Sequence, residues 1–326
     1  MLTTIPKADR ATIHAGASLQ ATHPTPEPEA AAVEFRGVER RFGEVVALAG
    51  IDLTIEPGTT VALLGPNGAG KSTAIGIMLG LDEPTAGSAR TLGQGPRAAV
   101  ASGRVGAMLQ TTGLPAGLTV SELLGFARRL YPNPLAQRDL LDRAGLGAIG
   151  GRRTEALSGG ESQRLRFALA IAGDPDLVFL DEPTVAMDVE TRRGFWGDMR
   201  RSAAEGRTIL FATHYLDEAD EVADRIVVLD RGRIVADGTS ATIKASAGGK
   251  TVRFSISQPD AALFRVLHGV TDVLVTGDRV ALTTADADAT TRALIQTGIP
   301  YRDLEVTGAD LEDAFVALTH HEGATR

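Results

Sequence analysis

Eight residues, Gly65-Pro66-Asn67-Gly68-Ala69-Gly70-Lys71-Ser72, dictate the local architecture of this chain. Glycine, four residues, glycine, lysine and serine in this order form a loop that wraps phosphate groups. The pattern needs an apolar strand leading in and a helix leading out, so that backbone N–H groups and the positive helix end converge on one anion. Both flanks are present, as the apolar run Val61–Leu64 and a helix predicted over Thr73–Leu79. Gly65, Asn67, Gly68, Ala69 and Gly70 then supply the wrapping backbone, with Thr73 next on the helix. Lys71 reaches the β- and γ-phosphates, and the Ser72 hydroxyl ligates Mg²⁺. The competing reading is a glycine-rich turn with an exposed lysine. Lysine is otherwise confined to Lys7, Lys244 and Lys250, with arginine plentiful, so a lysine at 71 departs from local habit.

Two further apolar runs, Val178–Leu180 and Ile209–Phe211, match Val61–Leu64 in length and character. Short apolar runs separated by helical stretches predict buried parallel strands of an α/β domain. More than a hundred residues separate the first run from the second, too many for a simple crossover, which predicts an inserted helical subdomain at about 111–175. Its best helix is Val120–Tyr131, with Leu123, Leu124, Ala127 and Leu130 at helical spacing, stopped by Pro132-Asn133-Pro134. The second run ends in Asp181-Glu182. A carboxylate at a strand end can hold Mg²⁺, which assigns Asp181 to the metal, and Glu182 beside it can polarise an attacking water. Asp82-Glu83-Pro84-Thr85 repeats the letters of Asp181-Glu182-Pro183-Thr184, but it follows the phosphate-loop helix and reads as a solvated loop.

The ends read differently. Residues 1–32 are rich in Ala, Thr and Pro without periodicity, which predicts a disordered tail before the strand signals Val33–Phe35 and Ile51–Ile55. After Gly238 comes a small, glycine-rich linker, Ala245–Lys250. Beyond it, strands at Thr251–Ser257, Asp272–Val275, Arg279–Thr283 and Tyr301–Val306 are predicted, with helices at Asp260–Leu267, Ala287–Thr297 and Asp310–Leu318. This order resembles a small split βαβ unit. The organisation expected is a tail (1–32), an ATPase domain (33–244) and a C-terminal α+β domain (251–320) that stabilises a dimer or regulates. The 326 residues carry 41 acidic and 33 basic side chains, a net charge of −8, which argues against a nucleic-acid partner. There is no cysteine, which excludes disulfides and cysteine-ligated zinc. No run approaches the roughly 20 apolar residues that span a bilayer.

Leu157-Ser158-Gly159-Gly160-Glu161 resembles the signature motif of ABC (ATP-binding cassette) ATPases. Ser158, Gly159, Gly160 and Glu161 open a predicted helix, Glu161–Ala172, whose N-terminus forms a second anion site. The family usually has Gln where this chain has Glu161, and that departure implies altered affinity. Other matches follow in family order. Phe42 resembles the aromatic that stacks on adenine. Gln110 resembles the glutamine that touches Mg²⁺ or water and senses the transport partner. Asp188 resembles the dimer-interface aspartate, with Met187 in place of the commoner Leu, and His214 resembles the switch histidine on the γ-phosphate. The resemblance spans about Val33–Gly238. It implies a P-loop NTPase fold of the ABC-cassette type with an inserted helical subdomain, and ATP and Mg²⁺ as ligands. Head-to-tail pairing with a second ATPase subunit is implied as well, the loop of one chain facing the signature of the other.

Phe211–Asp220, Leu118–Glu122, and Leu304–Val306 with Leu311–Phe315 are similar to segments of type-2 exporter ATPase subunits of the daunorubicin-resistance type. That resemblance implies a separate membrane permease docking near Gln110–Tyr131 and work at the cytoplasmic face of the membrane. Two other readings stay open. A soluble ABC ATPase acting on ribosomes or DNA usually carries two cassettes or a coiled-coil insertion, neither visible here. A GTPase would need an Asn-Lys-x-Asp sequence, which is absent.

Overall fold

The computed structural model describes residues 30–109, 113–246, 249–308 and 310–320. The expected tail falls outside these except for its last three residues, and so does Gln110. Within them, Ala32 is fully buried and its N–H donates to the Ile55 carbonyl, so the packed fold includes a residue before Val33.

The first elements in chain order are β1 (Val33–Phe42), β2 (Val45–Ile55), β3 (Thr60–Leu64), α1 (Lys71–Met78), β4 (Ala86–Thr91), α2 (Pro96–Ala101) and β5 (Val105–Met108). Strands β2, β1 and β4 form a small antiparallel sheet in that order. Only the first third of β1 carries the alternation legible in the sequence. Its register slips between Phe35 and Val38, where Gly37 takes a left-handed backbone (φ 55°), and the period-2 pattern is lost there.

Then come α3 (Val120–Arg128), α4 (Gln137–Arg143), α5 (Gly159–Ala170), β6 (Leu177–Asp181), α6 (Val189–Ala204), β7 (Thr208–Ala212), α7 (Leu216–Val222), β8 (Arg225–Asp230), β9 (Arg233–Gly238) and α8 (Ser240–Ser246). Helix α3 is fixed at its start by a capping box, Thr119 with Glu122. It ends three residues earlier than the spacing predicts, and Leu130 is 69% exposed, not on the buried face. Tyr131 turns back beside Gly173, where an added Cβ would lie 2.4 Å from its ring.

The main sheet has the order β5-β6-β7-β3-β8-β9, parallel except for the hairpin strand β9. Strand β3 shows why these runs are uniformly apolar. Val61 and Leu63 face a core shared with α1 and the small sheet, whereas Ala62 and Leu64 face a core shared with α3, α5 and α6. The helical side is knitted by an aromatic chain from α5 through α6 to β7: Phe167 to Phe195 (5.0 Å), Phe195 to Trp196 (5.2 Å) and Trp196 to Phe211 (4.6 Å).

The C-terminal elements are β10 (Lys250–Ser255), α9 (Ala261–Arg265), β11 (Val270–Thr276), β12 (Arg279–Thr284), α10 (Ala287–Gln296), β13 (Arg302–Gly308) and α11 (Leu311–His320). The four strands form an antiparallel sheet in the order β11-β12-β10-β13, the split βαβ arrangement, with its own core around Val252, Phe254, Phe264, Leu282 and Leu294. Helix α11 does not join that core. Leu311 (3% exposed) and Ala314 belong to the cassette core with Ile243, and Phe315 and Leu318 pack against it.

Candidate functional site

Parallel strands place all their C-terminal ends on one edge, and ligands of open α/β sheets bind there. The sequence puts the phosphate loop after β3, Asp181-Glu182 at the end of β6 and Thr213-His214 after β7. Since β7 pairs with both β3 and β6, the three segments are neighbours on one edge.

The loop is held by close backbone approach. A Cβ on Gly65 would lie 2.3 Å from the Leu229 carbonyl oxygen, and one on Gly70 would lie 2.5 Å from the Ala47 oxygen. Only glycine fits at either place, and Gly70 also has a left-handed φ of 110°. Lys71 is the first residue of α1, and its Nζ donates to the carbonyls of Gly65 (2.7 Å) and Pro66 (3.2 Å). Burial lowers its pKa, while Glu182 and Asp181 pull it back up, so the ammonium and both carboxylates share one electrostatic neighbourhood.

Glu182 is the most constrained member of the group. Its φ is 52°, a left-handed conformation that side chains rarely adopt and that clusters at active sites. Its N–H donates to the Ala212 carbonyl at 2.9 Å, and Gln163 Nε2 donates to its own carbonyl at 3.2 Å. The carboxylate, 12% exposed, lies 2.7 Å from His214 Nδ1. Burial pushes the Glu182 carboxyl above the usual carboxylate range, and His214 opposes this. Asp181 is likewise raised by burial, with Lys71 opposing. Among the described residues the Asp181 carboxylate has no hydrogen-bond partner. A half-buried carboxylate beside the phosphate-loop lysine suits Mg²⁺, which takes few protein ligands and fills its shell with water and phosphate oxygens. Among the described residues no group of three or more His, Cys, Asp or Glu forms an all-protein cage.

Phe42 ends β1, 47% exposed, with the Arg40 guanidinium 4.3 Å from its ring centre. Arg40 is in turn held by the Asp82 carboxylate (2.9 Å) and the Glu83 carbonyl (2.9 Å). This corrects the solvated-loop reading of Asp82-Glu83: Glu83 is exposed, but Asp82 is half-buried and paired.

Ser158 is the N-cap of α5 and Glu161 completes a capping box. The Glu161 carboxylate accepts from the Ser158 N–H (2.9 Å) and from Arg152 (2.8 Å). These bonds hold its pKa below the usual range, the Ser158 contact being the largest effect. The helix therefore starts two residues earlier than the sequence predicts, and the carboxylate that replaces the family's Gln is turned back on its own helix end. Gly159 and Gly160 pack against the Ala186–Met187 turn of the same chain, where Cβ atoms would lie 3.0 Å from Ala186 Cβ and 3.3 Å from its carbonyl oxygen. Asp188 caps α6, accepting from the Thr191 N–H and hydroxyl, both at 2.9 Å. So the structure gathers Lys71, Asp181, Glu182 and His214 on one edge, while Gly159 and Gly160 pack on the Ala186–Met187 turn that leads into Asp188. Sequence reasoning overlooked Gln163, Thr184, Thr213 and Glu218, which brace Glu182 and His214 from beneath. The one signal was an acidic residue four positions after His214, on a helix otherwise turning Ala219 and Val222 inward.

A phosphate loop, two strand-end carboxylates, a histidine bonded to one of them and a capped second helix N-terminus fit an ABC-type P-loop ATPase. The family model "ABC transporter" matches residues 48–185. The chain is 34% identical to the daunorubicin/doxorubicin resistance ATP-binding protein of Streptomyces peucetius, over 90% of this chain and 94% of that one. It is 35% identical to the Nod factor export ATP-binding protein I of Burkholderia lata, over 90% and 98%. Among solved structures, an ATP-binding subunit of an ABC transporter superposes with a TM-score of 0.60 at 27% identity, covering 66% of this chain and 92% of that one. A dimeric cassette in a post-hydrolysis state, bound to ADP and Pi, gives 0.58 at 25% identity, covering 64% and 98%. The chain belongs to the ABC transporter family and is one of its exporter-type ATP-binding, ATP-hydrolysing subunits. Among the described residues no helix is long and apolar enough to cross a membrane.

Proposed function

We propose that this subunit hydrolyses Mg·ATP at a site completed by a second copy of the chain, and that the cycle drives efflux through a separate permease. The observation that carries this reading is the Glu182–His214 hydrogen bond of 2.7 Å, set beside the phosphate-loop lysine. The Gly65–Gly70 backbone and Lys71 bind the phosphates, and Phe42 stacks on the base from its exposed face. Ser72 and Asp181 would hold Mg²⁺, with Gln110, outside the described residues, as a further ligand. That ion would supply positive charge against the charge developing on the phosphates in the transition state. Glu182 takes the proton of the attacking water, helped by burial that raises its proton affinity. His214 orients that carboxylate and reaches the γ-phosphate.

Ser158–Glu161 would face the γ-phosphate in the partner's loop through the N-terminal N–H groups of α5. With Glu161 already neutralised by Arg152 and Ser158, the end of α5 stays attractive to an anion. Phe126 and Leu130, 60% and 69% exposed on and just after α3, offer an apolar face for the permease, which would hold the subunit at the cytoplasmic side of the membrane. The test is co-expression with a candidate exporter permease. Both should purify from detergent together, and Phe126→Asp with Leu130→Asp should release the permease without lowering ATP affinity. Retention of the permease by that double variant would refute the docking face.

A further inference from the structure

Glu218, in the first turn of α7, is 5% exposed, and the hydrolytic steps above leave it without a task. A buried carboxylate is costly unless partners surround it. Here they do. The Thr184 hydroxyl donates to Oε1 at 2.6 Å, the Thr213 hydroxyl donates to Oε2 at 3.3 Å, and Arg192 Nε lies 3.4 Å from Oε1. Thr184 and Thr213 are themselves fully buried.

The partners come from three segments that each carry a residue of the site. Thr184 is two residues past Glu182. Thr213 immediately precedes His214, and its hydroxyl also accepts from the Tyr215 N–H at 3.0 Å. Arg192 sits on the first turn of α6, the helix that Asp188 caps. The guanidinium lies 4.6 Å from the Tyr215 ring centre, and that ring lies 4.0 Å from the imidazole of His214. One carboxylate thus anchors the backbone leaving Glu182, the backbone entering His214, and the arginine–tyrosine stack that supports the imidazole. Apolar residues would fill the space at lower cost if packing were the only requirement.

We propose that Glu218 is a positioning residue for ATP hydrolysis, holding Glu182 and His214 at hydrogen-bond distance and linking them through Arg192 to the Asp188 turn. The inference rests on Glu182 and His214 being the hydrolytic pair. It is tested on the full chain with Glu218→Gln, the isosteric Thr184→Val, their double variant and the conservative Thr184→Ser. Glu182→Gln and Glu221→Gln serve as references. Glu221, on the same helix as Glu218, is exposed and pairs with Arg200 of α6, so its variant should turn over as wild type.

Glu218→Gln and Thr184→Val should each lower kcat about tenfold, the scale of a lost hydrogen bond to a buried charge. ATP affinity should stay within about twofold, because the phosphate loop is untouched. The double variant should be no slower than its slower parent, since both break one network, and Thr184→Ser should restore the rate. An unchanged kcat in Glu218→Gln, with or without lowered thermal stability, overturns the proposal. So does a raised KM at unchanged kcat, or losses that multiply in the double variant. Wild-type turnover in Glu182→Gln would remove the pair itself. Loss of turnover there beside normal turnover in Glu218→Gln would refute the positioning role alone.

Discussion

Replacing Glu182 by Gln removes one property and keeps the rest. The side chains match in length and volume, so a position only 12% exposed gains neither cavity nor overlap. The amide offers both a donor and an acceptor to His214 Nδ1, so the 2.7 Å contact survives in either ring tautomer, in its weaker uncharged form. What disappears is the proton acceptor. A positioned general base is worth about 10²–10⁴ in rate, so kcat should fall by that factor, about 2.7–5.5 kcal/mol in the barrier. Affinity should hardly move, because Lys71 keeps its bonds to Gly65 and Pro66 and its neighbour Asp181. Stability should hold or rise slightly, since burial disfavours the charged form of Glu182. The assay pairs phosphate release with size-exclusion chromatography in Mg·ATP, where the variant should accumulate as a nucleotide-bound dimer. Phosphate release within about threefold of wild type would refute the assignment of Glu182 as the base.

Glu161→Gln restores the family's usual residue and keeps a capping-box acceptor for the Ser158 N–H, while breaking the pair with Arg152. ATP affinity and melting temperature should therefore change little, within about threefold and 2 °C, by fluorescence titration and thermal melt. Burial raises the pKa of Asp181 and Glu182, and the hydrolytic form is the deprotonated one. Activity should thus fail on acidification at a pH above the ordinary carboxylate value of about 4.3, the limb belonging to the coupled pair, and the residual activity of Glu182→Gln should lack the Glu182 contribution. Leu311→Ala should destabilise the cassette by about 2–4 kcal/mol, read by denaturant titration, because Leu311 is a core residue of that domain. A change confined to the melting of the C-terminal sheet would contradict this.

The phosphate loop, the strand-end carboxylates and the parallel strands were legible because each depends on a local rule: a glycine spacing, an apolar run, a polar residue ending it. Strand β1 was two-thirds illegible because the register slips near Gly37 erase the alternation. Helix α5 began early because Ser158 and Glu161 cap it, and the capping box lay hidden inside a motif already read for its glycines. Glu218 was invisible as a buried anchor, since its partners lie 34, 26 and 5 residues away in sequence, at Thr184, Arg192 and Thr213. Asp82 misled for the same reason, its cation Arg40 arriving from another strand.

Helix α11 changes which parts of the chain count as the cassette. The chain leaves the cassette after α8, builds the β10–β13 sheet, and returns to lay Leu311 and Ala314 beside Ile243. Topologically the small sheet is therefore an excursion inside the cassette, closed at both ends, and the last helix belongs to the motor. A cut after residue 248 would strip the motor of core side chains, whereas splicing α8 to α11 through a short linker would excise the sheet and leave that core whole. The sheet is thus the separable part: its core around Val252, Phe254 and Leu282 is its own, and the engine that encloses it is built on another.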